Sequence, residues 1–247
     1  MIESALALGL LAFFSYVIKG ATGFGGAIVF VALGSLVVGV KDAVAVAAVL
    51  DIASGLMMLR ITSASDLRGF WGPLLISVAL GSLLGSAAFL LVPARGLNLS
   101  IGVVILAVGL WFVAGRPGID RSELTDAVPA RPDWKAHAAS LLSGFSGGFV
   151  GMSGPPMVLY LGSWLKKSSF RRLLVPLLLG AALVRAVPYT LSGVIDGDLL
   201  LLSLVGLPPL FIGPYVGDRL FKRLPERWFV RAVGALLLAI GLKWIAS

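Results

Sequence analysis

The chain has 247 residues, of which 58% are hydrophobic and only 13% charged, with a mean hydropathy of +1.01. A soluble domain carries roughly 45–50% apolar and about 25% charged residues, so the excess apolar surface here has to face lipid. A net charge of +8 with no cysteine and one histidine excludes disulfides, thiolate metal sites, iron–sulfur clusters and multi-histidine or haem centres.

Apolar runs follow one another at 4–18, 24–40, 43–59, 70–92, 98–114, 137–163, 173–192, 198–218 and 229–246. At roughly 20 residues per span the chain has room for about eight full crossings and for no sizeable extramembrane domain. The runs predict helices, because a barrel strand would show a two-residue alternation that is absent here. The N-terminus, MIESALALGL, has an acid and no basic n-region, so no signal peptide is expected. One long polar stretch, 115–135, is rich in Pro, Gly and charge and reads as a cytoplasmic linker. It separates a first transmembrane repeat, 1–114, from a second, 136–247.

The two halves repeat. Shifting by 128 positions carries Ser15, Gly20, Gly23, Gly26, Gly34 and Ser35 onto Ser143, Gly148, Gly151, Gly154, Gly162 and Ser163. After a gain of four residues, Asp66, Gly81, Gly85, Pro93, Arg95 and Gly109 return as Asp198, Gly213, Gly217, Pro225, Arg227 and Gly241. Charge then decides topology. A single crossing at 137–163 splits the loop Lys and Arg 11 to 7 between the faces, whereas a hairpin broken at its Gly/Pro motif splits them 15 to 3. The positive-inside rule selects the hairpin. Five segments per half is an odd number, so the expected fold is all-α and integral to the membrane. It consists of two inverted repeats, each opening with a broken or re-entrant hairpin, and both termini lie on the periplasmic side.

The breaks themselves are the first candidate site. Lys19-Gly-Ala-Thr-Gly-Phe-Gly-Gly26 and Gly147-Gly-Phe-Val-Gly-Met-Ser-Gly-Pro-Pro156 lie inside apolar runs, where Gly costs about 1 and Pro about 3 kcal/mol in a helix interior. Half-helix N-termini at membrane depth present amide donors and a positive dipole end, which suits an anion. Close helix packing of small residues is the plainer explanation of the same glycines. The spacing is not that of a dinucleotide loop, and neither copy follows a strand.

These motifs resemble those of the TauE/SafE sulfite exporters, also called the 4-toluene sulfonate uptake permeases. The likeness spans nearly the whole chain through the early GATGFGG, the later SGFSGGFVGMSGPP and the half-way linker. It implies a bacterial inner-membrane transporter of small sulfur-containing anions such as sulfite, sulfonates or sulfoacetate. The candidate substrate-binding set is then Lys19, Gly20, Thr22, Gly23, Gly25 and Gly26 from the first copy and Gly151, Met152, Ser153, Gly154 and Pro155 from the second. The second copy carries Met152-Ser153 where the first has Phe24-Gly25, which leaves room for an asymmetric site.

Ionisable residues inside the runs complete the set. A membrane-buried acid costs at least about 2.5 kcal/mol, so Asp51 has to face a cavity or a partner. Arg185 lies mid-run on the corresponding helix of the other half. It is expected to lend its charge to the anion site, with Asp51 as its ion-pair partner or as the carrier of a coupled proton; a purely structural pair is the competing account. Lys19 either attracts the anion or snorkels to an interface. Arg60 reads as a positive-inside anchor, Trp164 and Trp228 as interfacial belt residues, His137 as a boundary residue, and Tyr160 and Tyr189 as phenols near helix breaks. The basic runs KKSSFRR and FKRLPERWFVR read as loops against anionic lipid rather than nucleic-acid sites.

The expected partners are therefore a small anion, membrane lipid and, for uptake, a coupled proton or sodium ion; no cofactor is called for, and an oligomer is compatible with the sequence. An anion channel on the same scaffold and a non-transporting assembly subunit remain the rivals. A membrane enzyme would need a catalytic cluster that the sequence does not offer.

Overall fold

A computed structural model describes residues 2–22, 24–59, 68–114, 125–221 and 226–246. Among them the secondary structure is helical, with ten helices and no strand. In chain order these are α1 (Ile2–Thr22), α2 (Gly26–Val38), α3 (Val40–Leu59), α4 (Arg68–Leu91), α5 (Ala94–Ala114), α6 (Trp134–Val150), α7 (Gly154–Gly162), α8 (Lys167–Leu191), α9 (Gly197–Phe221) and α10 (Glu226–Ala246). Spans long and apolar enough to cross a membrane lie in α3, α4, α8 and α9, at 40–59, 72–91, 169–191 and 197–217. Shorter apolar helices run over 6–20, 26–38, 95–111 and 234–245. The apolar run at 137–163 is two helices, α6 and α7, parted at Gly151–Ser153.

The helices sort into two compact units, and α3 contributes to both. The first holds α1, α2, the α3 residues up to Leu50, α5, α9 and α10. Within it α1 packs along α9, α5 along α10, and α2 against α1. A Cβ on Gly20 would overlap the backbone of Pro214, so α1 and α9 touch main chain to main chain at that point.

The second unit holds α3 from Asp51 onward, α4, α6, α7 and α8. Its axis is the α4–α6 pair. Gly81 and Gly85 face the carbonyls of Leu141 and Phe145, while Gly144 and Gly148 face those of Val78 and Ser82; at all four a Cβ would overlap the opposite backbone. This is the close approach that two small-xxx-small motifs permit when they meet, and it gains dispersion contact that lipid tails cannot match. Hydroxyls stitch the seam: Ser140 Oγ donates to the Leu74 carbonyl at 2.8 Å and Ser77 Oγ meets His137 Nδ1 at 2.8 Å.

The described residues just ahead of α6 are tied onto this unit. Thr125 forms a short parallel bridge with Leu165, its N–H donating to the Trp164 carbonyl and its own carbonyl accepting from Lys166 N–H, each at 2.9 Å. Asp133 then caps α6, its Oδ1 accepting from Ala136 N–H at 2.8 Å and from the Tyr160 hydroxyl at 2.8 Å. Leu80, Leu83, Leu84 and Leu91 on α4 and Leu201, Leu204, Phe211 and Ile212 on α9 are exposed, as lipid-facing residues of a membrane protein are.

Candidate functional site

In the second unit α6 stops because its last turn is glycine-rich and Gly151 adopts φ +77°, a left-handed conformation that ends a helix at little cost only for Gly. Gly151 N–H returns to the Gly147 carbonyl at 3.0 Å. Two α6 serines then satisfy carbonyls that the break exposes. Ser143 Oγ donates to the Ser153 carbonyl, and Ser146 Oγ to that of Met152 at 2.9 Å. The chain thereby folds back on α6 before Gly154-Pro155-Pro156 opens α7, with proline where a helix tolerates it.

Arg185 of α8 reaches this break and is fully buried. Its Nη1 donates to the Gly147 carbonyl at 3.2 Å and to Ser153 Oγ at 3.1 Å. Its Nη2 donates to Asp51 Oδ2 at 2.7 Å, an ion pair in which the arginine side chain is 0% and the aspartate 14% exposed. One turn further along α8, the Tyr189 hydroxyl donates to the Gly148 carbonyl, and its ring packs on Phe89 with centroids 4.8 Å apart. Two side chains of α8 thus cap successive carbonyls at the negative end of α6. The cost of a buried cation is met by one carboxylate and two neutral oxygens.

The first unit has a comparable end. Gly25 stands at φ +85° ahead of α2 with no side-chain cap. Lys19 is 6% exposed, its stem lies against Gly26, and its Nζ sits 5.2 Å from the centre of the Tyr16 ring, a cation–π distance.

Compared with known families, residues 8–244 match the model of the sulfite exporter TauE/SafE family. The chain belongs to the TauE/SafE family. It is similar to the probable inner membrane transporter protein TsaS of Comamonas testosteroni, at 29% identity over 200 residues, covering 76% of this chain and 80% of that protein. No solved structure matches significantly. This TauE/SafE protein is accordingly a multi-span membrane transporter.

Of the residues singled out from sequence, the TauE/SafE chain brings Arg185, Asp51 and Ser153 into direct contact. Gly151 and Met152 form the turn beside them, Gly154 and Pro155 open α7, Gly25 caps α2, and Lys19 lies against Gly26 at its start. Gly20 lies instead against Pro214 of α9. Thr22 closes α1, while Gly23, Arg60 and the Trp228 side chain lie outside the described residues. His137 meets Ser77, and Trp164 packs edge-on against Tyr160 at 6.1 Å. Sequence reasoning left out Ser143, Ser146 and the carbonyls of Gly147 and Gly148. The signal was present in two serines one turn apart, spaced so that they reach past a helix-ending glycine.

Proposed function

We propose that this transporter moves a small sulfur-containing anion, of the sulfite, sulfonate or sulfoacetate type, by alternating access, with the anion held at the broken-helix end between α6 and α7. The observation that carries the reading is Arg185: a permanently charged guanidinium, wholly buried, beside a helix break and held by an acid that keeps some exposure. In membrane segments such residues mark substrate paths more often than packing. The family name supports the sulfur-anion class, and the Comamonas relative, a probable inner membrane transporter, supports transport.

The chain is read as two inverted repeats, 1–114 and 136–247 joined by a cytoplasmic linker, with both termini periplasmic. The 15-to-3 charge split supports that orientation. The packing supports the repeat: α1 pairs with α9 and α4 with α6, and the sequence offsets relate α1 to α6 and α4 to α9.

In the proposed cycle the anion competes with Asp51 for Arg185. Ionised Asp51 opposes anion entry, and protonated Asp51 releases the guanidinium. An anion leaving a negative-inside cell gains about 2.3 kcal/mol per charge per 100 mV, so export proceeds uncoupled, whereas uptake needs a proton or sodium ion. Asp51 is the residue assigned to carry that proton.

The test is a thermal-shift titration of detergent-solubilised protein with sulfite, sulfate, thiosulfate, sulfoacetate, taurine and acetate. A ligand at 100 times its dissociation constant stabilises a one-site protein by about 2.7 kcal/mol. At least one sulfur anion should raise the melting temperature, and Arg185→Ala should abolish that rise. The proposal fails if none does so and proteoliposomes carry these anions no faster than protein-free vesicles.

A further inference from the structure

The two broken ends differ in the donors they offer. A helix leaves its first four N–H groups, the cap residue's included, without intrahelical partners. At α2 these belong to Gly25, Gly26, Ala27 and Ile28, ahead of the first closing bond from Val29 N–H to the Gly25 carbonyl. At α7 they belong to Ser153, Gly154, Pro155 and Pro156, and two of these have no N–H at all. A backbone cradle for an anion is therefore halved at the α7 end, where the buried arginine stands.

Side-chain donors stand in the same place. Ser153 is 5% exposed, and its oxygen already accepts from Arg185 Nη1, so its own proton has to point elsewhere; it has no acceptor among the described residues. Arg185 Nε, fully buried, also lacks an acceptor there. Two buried donors on two side chains already joined to each other are left undonated, a costly arrangement for a closed structural cluster. Gly147 explains how they come so close. A Cβ at that position would overlap Ser153 Oγ and lie 3.3 Å from Arg185 Nη1.

We infer that at the α7 end the transported oxyanion is bound by the Ser153 hydroxyl and Arg185 Nε in place of a backbone amide nest, and that Gly147 is the positioning residue that keeps Ser153 on the arginine. This rests on the anion reading above. It assigns Ser153 the donor role by chemistry: with its lone pair engaged by a cation, the hydroxyl is polarised as a donor and selects for a ligand oxygen that accepts. No bond is made or broken, and the anion exchanges water donors for these two.

The experiment measures binding of sodium sulfite and sodium sulfoacetate to the full-length detergent-solubilised protein by calorimetry. The variants are Ser153→Ala, Gly147→Ala, Ser153→Gly and the Gly147→Ala/Ser153→Gly double, each checked for the melting temperature of the ligand-free form. Ser153→Ala should raise Kd at least about ten-fold, the loss of one hydrogen bond to a charged group. Gly147→Ala should weaken binding in the parent and add no further loss in the Ser153→Gly background, because its effect passes through the serine side chain. A purely structural role for Gly147 would instead lower affinity equally in both backgrounds, and that result overturns its assignment. Ser153→Ala binding within two-fold of the parent overturns the donor assignment, and this variant decides the matter even where Gly147→Ala fails to fold. If the parent binds neither probe, the anion reading falls together with this inference; if the parent binds and Ser153→Ala binds equally, only the inference falls.

Discussion

Arg185 Nη2 and Asp51 Oδ2 meet at 2.7 Å across 134 positions of sequence, and the same guanidinium holds the carbonyl of Gly147 and the hydroxyl of Ser153. One side chain of α8 thereby ties together α3, the end of α6 and the start of α7. Its neighbours on the two sides of the pair are unequal. The arginine is sealed from solvent, while the acid keeps an exposed edge.

That inequality predicts an asymmetric mutational response. Asp51→Asn strands a permanent buried cation and should destabilise the detergent-solubilised protein by about 3–5 kcal/mol. Arg185→Met leaves an acid whose exposed edge can reach water, and should cost less. Thermal unfolding of the two variants at one pH checks the order, and equal losses would show that burial of the arginine is not what sets the energy.

Transport provides the companion prediction. If Asp51 carries the coupled proton, Asp51→Asn protein in proteoliposomes should fail to accumulate a sulfur anion under an inward proton gradient while still exchanging it at equal pH. Accumulation matching that of the parent would remove Asp51 from the coupling step.

Tyr189 is a purely internal donor. Its hydroxyl satisfies the Gly148 carbonyl in a buried setting, so Tyr189→Phe leaves that acceptor bare and should cost about 1–3 kcal/mol. The ring contact with Phe89 survives the substitution, which isolates the hydrogen bond in the measured loss.

The α4–α6 seam separates glycines that touch from one that does not. Gly148→Ala and Gly85→Ala force a methyl into opposing backbone and should drive the two helices apart, seen as loss of the folded monodisperse protein. Gly72 of α4 has open space where a Cβ would go except beside its neighbour Pro73, whose ring disfavours helical backbone before it once a Cβ is present, so Gly72→Ala should keep the folded monodisperse protein at a modest loss of melting temperature.

Outside the membrane, Asp133 caps α6. The Ala136 amide bond holds its carboxyl below the usual carboxylate range, with the Tyr160 hydroxyl and Lys135 adding to the effect. Because the folded value is lowered, the stability it contributes is present above the ordinary carboxylate range and fades as pH falls through the folded value. Asp133→Ala should therefore melt earlier than the parent at pH 7, and the difference should shrink at pH 3. A difference that persists unchanged at low pH would mean that the charge of the cap contributes nothing.

The helix breaks were legible in sequence because Gly and Pro clusters inside apolar runs are costly anywhere else, and Gly151 and Gly25 do take left-handed backbone there. Asp51 and Arg185 were legible as a pair for a similar reason: each alone is expensive in a membrane, and the repeat put them on matching helices. The destination of each glycine was not legible. Gly20 and Gly148 belong to helix-packing seams, whereas Gly147 makes room for Ser153, yet all three carry the same single-letter signal. Sequence spacing reports that a Cβ is missing and not what approaches in its place.

Composition, charge and the two Gly-rich motifs by themselves determined that this chain is helical and membrane-spanning and that its helices break near residues 24 and 152. These are properties of a few neighbouring residues and of the solvent around them. Only the tertiary structure decided that Arg185 sits on the carbonyl end of α6, that Ser143 and Ser146 satisfy the break, and that α4 lies on α6 while α9 lies on α1. Such contacts join residues tens to more than a hundred positions apart, and their energy depends on backbone separations of a few tenths of an ångström, which local sequence does not encode.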